Sequence, residues 1–215
     1  MKTLAILSRK GGAGKTTVAL HLAVVAAASG RRVALVDMDP QRSAADWWRS
    51  REAETPELVE ADPGHLADVA KAAKAAGVDL LVVDTRPSAE ADALEAATVA
   101  DLALIVCKPS ILDLRAVAAT VETVGRTKTP GRILINQAPP ARGSSEAAIV
   151  QEARGALEGY GLPLAPVILH ARAAYHSALI DGRAVNELEP SGKAAGEVRA
   201  LWSYLEGELW PSVRR

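Results

Sequence analysis

Residues 9 to 17 read R-K-G-G-A-G-K-T-T, directly after the apolar run Leu4-Ala5-Ile6-Leu7 and directly before Val18-Ala19-Leu20-His21-Leu22-Ala23. Strand, glycine-rich loop and helix in that order is the setting of a phosphate-binding loop. Gly11, Gly12 and Gly14, with Ala13 between them, let the backbone turn tightly, so successive N–H groups converge on one anion at the positive end of the following helix. Lys15 adds a point charge for β- and γ-phosphates, and Thr16, with Thr17 behind it, offers a hydroxyl to Mg²⁺. Two more apolar runs end in acids: 33–36 runs into Asp37-Met38-Asp39-Pro40-Gln41, and 80–83 into Asp84. Carboxylates at i and i+2 on a strand point the same way, and the carboxyl ends of parallel strands are where ligands sit. Asp84 stands where phosphoryl-transfer sites place the acid that supports Mg²⁺. For Asp37 a turn-capping role is the competing reading.

These residues need rigid elements behind them. The chain has 215 residues, enough for one domain with a substantial core. It contains no Phe, and its 49% hydrophobic content is dominated by small aliphatic side chains, which favours close packing of helices on a sheet. Strands are expected at 4–7, 33–36, 58–60, 80–83, 101–107, 132–136 and 164–169. Four or more consecutive apolar residues mark strands buried on both faces. Helices are expected at 17–29, 42–54, 65–76, 110–126, 145–159, 171–180, 182–185 and 190–210, with Gly30 a stop signal for the first and Ser110 an N-cap. Residues 138–145, A-P-P-A-R-G-S-S, read as a loop. Alternation of strands and helices specifies an α/β fold: a three-layer, mostly parallel sheet of about seven strands flanked by helices, a P-loop NTPase domain over residues 1–215.

The loop departs from G-x-x-x-x-G-K-[ST] in carrying Arg9 in place of the first glycine and an additional lysine, Lys10. K-G-G-x-G-K-T-T resembles the deviant Walker A loop of the ParA/MinD family of ATPases, and D-M-D-P-Q resembles that family's D-x-D-P-Q. The resemblance implies ATP and Mg²⁺ as cofactors and a nucleotide-sandwich homodimer. Lys10 would reach the partner subunit's phosphates, Asp39 would position the attacking water, and Asp37 and Asp84 would support Mg²⁺ beside Thr16. As a residue taken alone, Lys10 reads equally as a surface lysine. Asp84-Thr85-Arg86-Pro87-Ser88 stands where the family has D-x-P-P, and Arg86 either contacts phosphate or faces solvent. Lys108-Pro109-Ser110-Ile111-Leu112-Asp113-Leu114-Arg115 resembles a segment near the family's dimer face, with Asp113 and Arg115 as interface candidates. Asn136-Gln137 resembles its adenine-reading position, where one amide donates and accepts at once.

Arg172, Tyr175, Gly182, Val185 and Glu187 echo the R-x-x-Y...G-x-x-V-x-E pattern of the short ParF-like partition ATPases. That likeness implies nonspecific DNA binding through basic C-terminal residues, here Arg172, Arg183, Lys193 and Arg199, and a ParB-like or other adaptor that stimulates slow hydrolysis. The cargo implied is a plasmid, a chromosome region or a protein cluster. A net charge of −1 gives no global attraction to nucleic acid, so such binding needs a local patch. No apolar run approaches the ~18 residues of a membrane span, and the expected location is the cytoplasm, on the nucleoid. A MinD-like membrane cycle is the first alternative: Leu201, Trp202, Leu205 and Leu209 make an apolar stripe, but Glu206 and Glu208 oppose an anionic bilayer, so a helix closing the core is expected. An ATP-dependent ligase of the dethiobiotin-synthetase kind is the second. Cys107, the one cysteine, excludes a disulfide framework and reads as a small core residue. Of the adjacent Trp47 and Trp48, about 100° apart on a helix, one is expected in the core and the other on a partner surface. Lys71 and Lys74 are expected on a solvated helix face.

Overall fold

The computed structural model describes residues 1–87, 89–140 and 146–211. Ser88, residues 141–145 of the expected loop and the expected helix start at Ser145 lie outside them. Six strands, β1 (Lys2–Leu7), β2 (Val33–Asp37), β3 (Glu57–Glu60), β4 (Leu80–Asp84), β5 (Leu102–Cys107) and β6 (Gly131–Ile135), form one all-parallel sheet in the order β3-β2-β4-β1-β5-β6. The expected seventh strand, 164–169, is not a regular strand. Pro163 and Pro166 lack the N–H groups a ladder needs. The segment still runs beside β6, with Ala165 N donating to Ile133 O at 2.8 Å and Leu169 N to Ile135 O at 3.1 Å.

Side-chain alternation divides each strand between two cores. Leu4, Ile6, Leu35, Val82, Leu104 and Val106 face α1 (Lys15–Ala28), α2 (Ser43–Arg49), α7 (Ala173–Leu179), α8 (Val185–Leu188) and α9 (Lys193–Leu209). Ala5, Leu7, Val36, Leu81, Val83 and Ile105 face α3 (Leu66–Ala75), α4 (Glu90–Val99), α5 (Ile111–Thr127) and α6 (Ala148–Glu158). α1 packs between the sheet and α9, which explains why it is apolar nearly all round. Gly30, at φ +91°, ends it in the left-handed conformation. Helix α2 stops at Arg49, well short of residue 54. Helix α4 occupies a stretch in which the sequence pattern indicates no element.

The C-terminal stripe closes the first core: Leu201, Trp202, Leu205 and Leu209 are all buried. Glu206 pairs with Arg31 at 2.9 Å and Glu208 with Arg132, so the acids fasten α9 to the sheet layer. Trp47 is buried, its indole donating to Arg183 O at 3.2 Å. Trp48 is half-buried against the same core and donates to Pro56 O at 2.8 Å, so it braces the chain entering β3 rather than standing on an open surface. Lys71 and Lys74 are exposed, as their solvated-face reading has it, and Cys107 is buried.

The turn between α7 and α8 lies on the end of α2. A methyl group on Gly182, at φ +74°, would fall 2.5 Å from Arg51 N and 2.7 Å from Ser50 C. The buried Arg51 guanidinium donates to Gly182 O at 2.8 Å and pairs with Glu187 at 2.6 Å. Gly182→Ala is therefore expected to lower the unfolding free energy by roughly 2–4 kcal/mol, from left-handed strain and backbone collision together. Urea unfolding checks this, with an unshifted midpoint counting against the close approach.

Candidate functional site

The carboxyl ends of β1, β2, β4, β5 and β6 meet along one edge of the sheet and carry, in turn, the glycine loop, Asp37 with Asp39, Asp84, Lys108 and Asn136. β1 lies between β4 and β5, so the loop leaves the sheet at the crevice where ligands collect in such folds. Gly12 and Gly14 take φ +74° and +92°, and Gly14 is the N-cap of α1. Gly11 and Gly12 are exposed, while Ala13 is buried beneath them. Asn136 Nδ2 donates to Ala13 O at 2.8 Å and Gln137 Nε2 to Gly12 O at 3.4 Å, so the β6 end clamps the loop from below. A side chain at position 14 would collide with that Asn136 amide.

Lys15 is buried, and burial pushes its ammonium pKa down while Asp84 and Asp39 draw it back up. Asp84 is fully buried, and neither of its oxygens has a hydrogen-bond partner. Its pKa is pushed up to about 7 by burial; the Thr16 hydroxyl and Lys15 favour the ionised form, the hydroxyl without closing a good hydrogen bond. An orphaned carboxylate beside a threonine hydroxyl at a phosphate loop fits Mg²⁺, which takes one or two protein oxygens and fills its remaining positions with water and phosphate. Consistent with so sparse a site, no cluster of three or more His, Cys, Asp or Glu is built to hold a metal among the described residues.

Asp37 also is buried, but its oxygens accept from Asp39 N at 2.9 Å and Ala45 N at 3.0 Å. It therefore fixes the Asp39 turn, as the capping reading has it, and burial raises its pKa against those two bonds. Half-buried Asp39 accepts from Gln41 N at 3.0 Å through Oδ1. Lys10 is exposed at the rim, and no side-chain partner holds its ammonium among the described residues. Arg86, partly exposed, donates at 3.0 Å to Asp92, a fully buried carboxylate on α4. Asp113 is likewise occupied at home, accepting from Ser110 Oγ at 2.6 Å at the capped start of α5, where Ile111 and Leu112 stand 67% and 60% exposed.

A cavity of about 280 Å³ adjoins the loop, lined by Thr17, Asn136, Gln137, His170, Arg172 and His176 among others. Glu197 of α9 holds three of the lining residues, accepting from Arg172 at 2.6 Å and Tyr175 Oη at 3.1 Å and contacting His170 Nδ1 at 2.8 Å. Arg172 is thus committed to the cavity rather than to an outer basic patch. Arg183 pairs with Asp181 at 2.7 Å and Arg199 donates to Pro190 O at 2.8 Å, while Lys193 is exposed at the start of α9. The sequence reading assigned no role to Glu197, His170 or Lys108; the H-A-R that follows the last apolar run is a signal by which His170 could have been found.

Residues 4–183 match the family model described as the CobQ/CobB/MinD/ParA nucleotide binding domain. The chain is 34% identical over 213 residues, 97% of its length and 94% of the relative's, to maintenance of carboxysome distribution protein A of Gloeobacter kilaueensis. It is 30% identical to the protein of that name from Halothiobacillus neapolitanus, over 91% of each chain. The fold matches that of the septum site-determining protein MinD complexed with Mg-ADP from Pyrococcus horikoshii, with a TM-score of 0.77, 18% identity and 95% and 96% of the two chains covered.

Burial holds the Asp84 carboxyl above its unfolded value, so between about pH 4 and about pH 7 the folded chain keeps a proton that the unfolded chain has released. The stability this supplies is complete below that window and is lost as pH rises through it. Asp84→Asn is expected to melt several degrees above the wild type at pH 8 without nucleotide, and to lose the tightening of ATP binding by Mg²⁺. Scanning calorimetry and titration calorimetry with and without Mg²⁺ check the two halves; coincident melting curves at pH 8 would contradict an uncompensated carboxylate.

Proposed function

The chain belongs to the CobQ/CobB/MinD/ParA nucleotide-binding family, and from that premise we propose that it is an ATPase that dimerises on ATP and positions a large protein assembly. The observation that carries the reading is the orphaned Asp84 carboxylate beside Lys15 and Thr16, under a glycine loop whose outer lysine, Lys10, has an ammonium with no partner among the described residues. Lys15 would take the phosphate chain from within, Thr16 and Asp84 would hold Mg²⁺, and Asp39 Oδ2 would orient water for in-line attack. The chemistry Mg²⁺ would supply there is neutralisation of charge on the phosphate oxygens. Asn136 both clamps the loop and borders the adjoining cavity, which suits an adenine edge. Lys10 and the exposed Ile111 and Leu112 lie at this same end, which supports closure against a second copy.

Two relatives alike over nearly the whole chain are named for carboxysome distribution, and this supports a protein assembly as cargo over a plasmid or chromosome. A ParB-like or other adaptor would then link dimer to cargo, and nonspecific DNA on the nucleoid would be the track, met by Lys193 and Arg199. A membrane track is disfavoured because the C-terminal apolar stripe is spent inside the core, and no described helix is long and apolar enough to cross a membrane.

Asp39→Ala is expected to slow turnover by about a hundredfold or more while the ATP dimer persists; phosphate release and light scattering read the two together, and undiminished turnover would remove Asp39 from the water. Lys10→Ala is expected to bind ATP within roughly threefold of the wild type yet stay monomeric. Random-sequence duplex DNA is expected to bind only with ATP, and Lys193→Glu with Arg199→Glu to weaken it and lower the salt slope by about one per lost contact. Binding that is equal with ATP, ADP and no nucleotide would count against the proposed cycle.

A further inference from the structure

Lys108 lies one residue beyond the end of β5, the strand paired directly with β1, from which the glycine loop departs. Its side chain does not run out into solvent like those of Lys71 and Lys74. It is half-buried, and a methyl group placed on Gly12 would lie 4.0 Å from its Nζ. Its backbone is held in place: Ser110 N donates to Lys108 O at 2.8 Å, and Lys108 N approaches Asp113 Oδ1 at 3.5 Å. Asp113 is occupied by the Ser110 hydroxyl, and among the described residues no carboxylate pairs with the Lys108 ammonium. A cation without a counter-charge thus lies near an exposed glycine of a loop whose backbone N–H groups can converge on an anion. The group that satisfies both at once is an anion with several oxygens.

We propose that Lys108 is a further phosphate-binding residue of this site, contacting the outer phosphates of a nucleoside triphosphate from the same chain that binds it. The proposal rests on the nucleotide reading of the loop and adds to it a third lysine. Lys15 lies beneath the phosphates at the start of α1 and Lys10 stands exposed at the rim, whereas Lys108 approaches from the β5 side. Its effect is therefore already present in the monomer, and it favours a triphosphate over shorter nucleotides because the added charge lies over Gly12 rather than near the base cavity.

The test is titration calorimetry of the full chain with Mg²⁺ and the β,γ-imido analogue of ATP, ADP and AMP, comparing the wild type with Lys108→Gln and Lys108→Arg. Lys108→Gln is expected to lose about tenfold in affinity for the triphosphate, less for ADP and nothing for AMP, with Lys108→Arg restoring most of the loss. Melting curves of each variant show whether it is folded, and the conservative arginine carries the test where glutamine perturbs the chain. Equal triphosphate affinity in wild type and Lys108→Gln overturns the proposal, as does an equal loss across all three nucleotides, which marks a structural role. A wild type that binds none of the three overturns the reading of the loop itself, and this proposal with it.

Discussion

A carboxylate that the fold buries completely and leaves without a hydrogen bond is the constraint on which the rest of this molecule turns. Asp84 is held at the end of a strand buried on both faces, paired in register with Asp37 of β2 and Ile6 of β1. A chain would not keep such a group for stability, since burial without a partner is among the costlier things a fold can do. Lys15 offsets part of the charge, at the expense of its own solvation. Burial thus presses on both groups, raising the Asp84 pKa and lowering that of Lys15, and the loop above them presents backbone N–H groups to whatever anion arrives. Thr85 reinforces the arrangement by donating to Ile6 O at 2.9 Å, which ties the end of β4 to the strand that launches the loop.

A second dependence runs through Glu197. From α9 it gathers His170, Arg172 and Tyr175, three residues that line the cavity beside the loop. Arg172 and His170 hold its pKa below the usual carboxylate range against the opposing pull of burial. The Tyr175 ring packs in turn on His21 of α1, with centroids 5.2 Å apart, and buried His21 is kept neutral, its pKa lowered to about 4. The last helix, the cavity and the helix that begins at Lys15 are therefore one packed unit, and the motif spread over residues 172–187 is largely the sequence record of that packing.

Most of the site was legible from the chain because its parts are local: the loop, D-M-D-P-Q and the acid after 80–83 each declare themselves within a few residues. Six of seven strands were legible for the same reason, as runs of apolar residues with turn signals. Segment 164–169 has the right composition, yet its prolines break the ladder. Helix α4 escaped because A-E-A-D-A-L-E-A-A-T-V has no clean apolar face; buried Asp92 on it is explained only by Arg86, from another element. Likewise Asp37, Asp113 and Trp48 are settled by partners that only the folded chain brings near. Glu197 and Lys108 had no signal of their own, being one charged residue each among ordinary neighbours.

The two flanks of the sheet have a consequence for how copies of this chain can associate. At one side, the edge strand β3 carries Glu57 and Glu60, held by Arg32 at 3.0 Å and by Arg49 at 2.7 Å. At the other, the irregular segment beside β6 takes up the free backbone groups with its own amides. Neither margin offers a clean row of unpaired peptide groups to a second sheet. Growth by strand addition, the route to uncontrolled polymers, is opposed on both sides, so copies of this chain that associate have to do so through a face other than the sheet margins.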